Sequence, residues 1–141
     1  MCPRERERLA VNCLLRLERS GLSIEVVYDP EEAVIRLATT GRTYSTYPLD
    51  PSRVAFTRTN AFWIFAMKDD EVYAGTGVRL DDLGDESFEQ YVRRTSIPTY
   101  GTAMVPKLAG TPETPISGRI VYWGDLIAPK IGSKSVQSNL I

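Results

Sequence analysis

Apolar residues recur at helical spacing through the first segment of the chain. Between Pro3 and Arg19, Leu9, Ala10, Cys13, Leu14 and Leu17 share one face, with arginine and glutamate opposite. That is the pattern of an amphipathic helix. Ser20-Gly21 ends it, glycine being the usual residue just past a helix. Cys13 falls on the apolar stripe and reads as a small core residue. Leu22 to Tyr28 reads as a strand. Asp29-Pro30-Glu31-Glu32 then opens a second helix, with an N-cap aspartate, proline at the first helical position and acids facing the positive helix end. It carries Ala33, Val34, Ile35 and Leu37 and ends near Thr40-Gly41.

Arg42 to Asn60 is polar, holds Pro48 and Pro51, and reads as an irregular, solvated connection. Ala61-Phe62-Trp63-Ile64-Phe65-Ala66-Met67 is nearly continuous apolar sequence, as expected of a strand covered on both faces. Lys68-Asp69-Asp70 is its turn, and Glu71 to Leu80 returns as the second strand of a hairpin. Gly75 and Gly77 mark a bulge or the close approach of another backbone. After the loop Asp81 to Asp85, Ser87-Phe88-Glu89-Gln90 fits a capping box opening a short helix to about Arg94. Pro98 and the Pro/Gly/Thr-rich run Thr99 to Gly118 form a long connection. Arg119 to Ile127 is a last strand. It runs into Ala128-Pro129-Lys130-Ile131-Gly132-Ser133-Lys134-Ser135, and the chain stops at Ile141, where a helix carrying Val136, Leu140 and Ile141 could begin.

Composition narrows the chemistry. The chain has 141 residues, 43% hydrophobic and 25% charged, enough for one domain with a real core. A formal net charge of -1 gives no global attraction to nucleic acid or an anionic membrane. No apolar run approaches the roughly 20 residues needed to span a bilayer. The mixed-charge N-terminus lacks a signal-peptide pattern, so a cytoplasmic location is expected. Cys2 and Cys13 make neither a disulfide framework nor a zinc site. There is no histidine, which removes the usual general base near neutral pH and every Ser-His or Cys-His pair.

Two local motifs fail on spacing. Gly132-Ser133-Lys134-Ser135 superficially resembles a P-loop, but Ser133 separates glycine from lysine and Ile127 stands where the first glycine belongs. Asp81, Asp82, Asp85 and Glu86 lack the spacing of a calcium loop and read as a solvated turn. Arg93-Arg94, like Lys130 and Lys134, is too sparse for a nucleic-acid surface.

The order of elements, an apolar hairpin and then a strand leading into Lys130-Ile131-Gly132-Ser133-Lys134-Ser135, resembles the front half of the N-acetyltransferase (GNAT) superfamily. In that superfamily an Arg/Gln-x-x-Gly-x-Gly/Ala turn and the helix behind it hold the pyrophosphate of acetyl-CoA, because small residues admit phosphate to the main chain. Here Lys134 or Ser135 stands where a second small residue belongs. The resemblance implies an α/β (α+β) fold: a mostly antiparallel sheet with flanking helices, an incomplete acyl-CoA N-acyltransferase-like fold. Length makes residues 1-141 one domain, with an N-terminal helix over 1-20; the resemblance covers roughly Leu22 to Ile141, a partial sheet with helices over 22-127 and a loop and helix start over 128-141. It assigns Lys130, Gly132, Ser133, Lys134 and Ser135 to acetyl-CoA, and it makes Asp125 a general base, although Asp125 fits an exposed strand-end acid equally. On this reading the chain is a truncated acetyltransferase remnant with little or no activity. A different class of function is a small interaction module, in which Ala61 to Met67 and Arg119 to Ile127 present sheet edges to a partner chain or a second copy.

Overall fold

The computed structural model describes residues 2–104 and 116–128. Along the chain these form α1 (Pro3–Arg19), β1 (Ser23–Val27), α2 (Pro30–Thr39), a single 3₁₀ turn at Tyr47–Leu49, β2 (Ala61–Lys68), β3 (Glu71–Asp82), α3 (Phe88–Tyr100) and β4 (Arg119–Ile127). The strands make one four-stranded sheet in the order β1-β2-β3-β4. Every neighbouring pair is antiparallel. The α+β class and mostly antiparallel sheet expected from the sequence are therefore observed.

Several local signals act as their chemistry dictates. Asp29 Oδ1 accepts from the backbone N–H groups of Glu31 and Glu32, at 2.8 and 3.2 Å, with Pro30 behind it in the first turn. Ser87 and Gln90 cap α3 reciprocally: the Gln90 N–H donates to Ser87 Oγ and the Ser87 N–H donates to Gln90 Oε1. The β2–β3 turn places both Asp69 and Asp70 at positive φ, the conformation that matches the twist of a two-residue hairpin.

α3 runs past Arg94 to Tyr100, with Pro98 inside it. A proline near a helix end forfeits one N–H donor, and here only two residues follow before Gly101 ends the helix in a left-handed conformation. The Gly101 N–H donates to the Ile97 carbonyl at 2.8 Å.

The core lies on one side of the sheet. Trp63, Phe65 and Leu49 are fully buried, and Val27, Ala33, Leu37, Ala61 and Met67 complete the cluster. α2 and the segment between residues 42 and 60 supply its lid. That segment is thus a packed cover rather than a solvated connection. Phe56 sets its ring edge against Trp63 at 5.4 Å. Gly75 and Gly77 are required by this packing: a Cβ at Gly77 would sit 2.6 Å from Leu49 Cδ1, and one at Gly75 would sit 2.9 Å from the Phe65 ring.

Three expectations are corrected. β2 is not covered on both faces: Ala61, Trp63, Phe65 and Met67 are buried, while Phe62, Ile64 and Ala66 on the other face are half-buried. A continuous apolar run cannot distinguish these cases, because periodicity is erased when both faces carry apolar residues. β2 is also interior to the sheet, paired on both sides, so it has no free edge to offer; the edges are β1 and β4. Cys13 is exposed, and α1 has no buried residue at all. The stripe predicted for α1 exists, but nothing among the described residues covers it.

Candidate functional site

β4 holds the residue on which the sequence placed chemistry. Between Gly75 and Gly77 of β3 the partners on β4 jump from Ile127 to Gly124, so β4 carries a bulge at Asp125 and Leu126. Asp125 takes a left-handed conformation, φ +56°, and its carboxylate turns into the lidded face of the sheet. Its side chain is 0% exposed. Arg42 Nη2 donates to Asp125 Oδ1 at 2.7 Å, and the Thr46 N–H reaches both carboxylate oxygens at 3.2 Å. The Thr46 and Tyr122 hydroxyls lie 3.0 Å apart beside this pair. Asp125 is therefore no exposed strand-end acid. It fastens the 42–60 cover to the last strand. A general base must take a proton from a substrate within hydrogen-bond reach, and here the partners already on both oxygens would first have to leave.

A second arginine does similar work. Arg79 of β3 donates to the Pro48 carbonyl at 3.1 Å and pairs with Asp81 at 2.6 Å, and the Tyr91 hydroxyl donates to the other Asp81 oxygen at 2.9 Å. Asp81 is thereby drawn out of the solvated turn the sequence suggested. Burial, and then the bond to Asp81, push the Tyr91 phenol up to about 12. Arg93 and Arg94 are spent on Glu89 and Glu86. The hydrogen bond from Arg94 holds the Glu86 carboxyl below its usual range.

Beside the Arg42–Asp125 pair opens a shallow cleft of about 850 Å³, lined among others by Arg42, Tyr44, Tyr47, Arg53, Tyr100 and Tyr122. The acid in its lining is committed: Asp50 accepts from the Ser52 N–H and hydroxyl and pairs with Arg53. Arg42 stacks on Tyr44 with its guanidinium carbon 4.5 Å from the ring centre. Among the described residues no group of three acids or cysteines is placed to hold a metal ion.

Lys130, Gly132, Ser133, Lys134 and Ser135, the residues assigned to acetyl-CoA, lie outside the described residues. Gly124, the one glycine within β4, serves internal packing: a Cβ there would fall 2.5 Å from the Tyr122 ring.

The opposite side of the sheet has the other character. Residues alternate across strands, so Val26, Phe62, Ile64, Val78, Val121 and Trp123 share one face. Trp123 is 71% exposed. Its indole N–H donates to Thr76 Oγ1 at 2.7 Å, and that hydroxyl donates to the Gly124 carbonyl, which draws the ring across β3 with one face to solvent. Tyr28 packs near Phe62, ring centres 6.3 Å apart, at the far edge. No described helix covers this face.

The sequence had not exposed this surface. Arg42 and Asp125 are 83 positions apart, and no local pattern links them. The open face carried one available signal: apolar residues on both parities of β2, with too few amphipathic helices to cover two faces. No protein-family model, curated protein or solved structure matches the chain.

Proposed function

We propose that the chain is a non-catalytic interaction module that works through the open apolar face of its sheet. The observation carrying this reading is that face, with Trp123 71% and Val121 64% exposed on its edge strand β4 and Phe62, Ile64 and Val78 half-buried beside them. Contiguous apolar surface beyond a few hundred Å² is rare on free-standing soluble domains and marks places where another surface docks. The alternative route to a partner, through strand edges, is less favoured here: β1 has only five residues, and β4 is interrupted by its bulge. Among the described residues no helix is long and apolar enough to cross a membrane.

The test uses the two tryptophans. Trp63 is fully buried and Trp123 exposed, so at nanomolar concentration acrylamide should quench one emission component and spare the other. A hydrophobic dye should bind, and Val121→Lys should weaken it without lowering the melting temperature. Complete shielding of Trp123 in the dilute chain would overturn the reading. Acetyl-CoA forms the control for the acyltransferase alternative: a ligand at a hundred times its Kd stabilises by about 2.7 kcal/mol, and the interaction reading expects no shift.

A further inference from the structure

We infer that the occupant of the open sheet face is helix α1 of a second copy of this chain, giving a reciprocal dimer. This rests on reading that face as an interaction surface, and adds the partner's identity. Two apolar surfaces of this chain are uncovered: the sheet face, and the stripe of α1, where Leu9, Cys13 and Leu14 are all exposed and no residue is buried. A helix laid on a sheet is a standard two-layer solution for such a pair.

The junction after α1 decides between the same chain and another. The Leu22 N–H donates to the Leu17 carbonyl and the Gly21 N–H to the Glu18 carbonyl, both at 2.9 Å. Gly21 is left-handed, φ +69°. This is a Schellman closure, and β1 begins one residue later at Ser23. The helix direction is thereby fixed relative to β1, with no slack, in an orientation that buries none of α1. Covering its own sheet would require opening that closure. A second copy reaches the face with the closure intact.

Charge and size agree. α1 carries five arginines (Arg4, Arg6, Arg8, Arg16 and Arg19) against three glutamates, while the hairpin turn at the end of the sheet carries Asp69, Asp70 and Glu71 against Lys68. A 17-residue helix is about 25 Å long and about 10 Å wide. Two reciprocal contacts, counting both surfaces of each, remove on the order of 1,000 Å² from water, the size a specific interface needs. Each copy offers one helix and one face, so a two-fold axis closes the assembly.

The experiment is sedimentation of the full chain from nanomolar to high micromolar concentration, with Trp123 quenching recorded in the same samples. The expected result is a monomer–dimer equilibrium in which Trp123 becomes shielded as dimer forms. Leu14→Glu on the helix and Val121→Lys on the sheet should each weaken the dimer at least about tenfold. Both positions are solvent-exposed within one chain, so circular dichroism and melting of the dilute variants should match the parent. A dimer indifferent to either substitution overturns the inference. So does a monomer at every concentration, and quenching then separates the causes. An accessible Trp123 leaves the interaction reading standing with another partner, whereas a shielded Trp123 in the monomer removes both.

Discussion

Arg42 and Asp125 form an ion pair of 2.7 Å across 83 positions of chain, with the aspartate side chain wholly buried and the arginine partly so. This pair joins the start of the irregular cover to the bulge of the last strand. Removing one member of a buried pair leaves the other charged and unpaired, which typically costs about 3–5 kcal/mol. Asp125→Ala should therefore lower unfolding free energy by about 3 kcal/mol and expose the 42–60 segment to proteolysis. Asp125→Asn should be milder, since an amide oxygen still accepts the Thr46 N–H and asparagine tolerates the left-handed backbone. Urea denaturation of both variants is the check. An alanine variant as stable as the parent would show that the clamp carries no energy.

Gly77 sits opposite Trp63 in the β2–β3 register, beneath Leu49. A methyl group there would lie 2.6 Å from Leu49 Cδ1 and 2.8 Å from Trp63 Nε1. Leu49 and Trp63 are both fully buried, so neither can retreat into solvent. Gly77→Ala should destabilise by about 1–3 kcal/mol, the range for overpacking. Thermal melts of Gly77→Ala, Leu49→Ala and the double variant should show non-additivity, because the second substitution opens the space the first one needs.

The cap of α2 gives a smaller effect. Asp29 satisfies two N–H donors that the helix cannot satisfy itself. Asp29→Ala should cost about 1 kcal/mol, and Asp29→Asn or Asp29→Ser should recover most of it. Equal stability of the alanine variant in urea would count against the cap.

Local chemistry was readable and long-range chemistry was not. Asp29-Pro30, the Ser87/Gln90 box, Gly21 and the Asp69-Asp70 turn each encode structure within a few residues, and each element they bound is present. The role of Asp125 depends on a bulge and on an arginine brought from the far side of α2, so its sequence neighbourhood suggested a base or a surface acid. Cys13 and the β2 alternation failed for another reason. Hydrophobic periodicity says that a face is apolar, not that anything covers it, and α1 and the outer sheet face are apolar without cover among the described residues.

Tyr91 supplies the pH-dependent prediction. Its hydroxyl donates to Asp81, and desolvation followed by that bond raises the phenol from 10.0 to about 12. A group whose folded pKa lies above its unfolded value stabilises fully below the unfolded value and loses that contribution as pH climbs to the folded one. The contribution should thus be intact below about pH 10 and gone near about pH 12. Tyr91→Phe removes both the bond and its titration, lowering stability by about 1 kcal/mol at neutral pH. The parent-minus-variant difference should then shrink through the alkaline range. Urea unfolding at a series of pH values, with both proteins in parallel, measures this difference directly. A difference that stays constant to pH values above the tyrosine range would show that the Tyr91 proton is not held by Asp81.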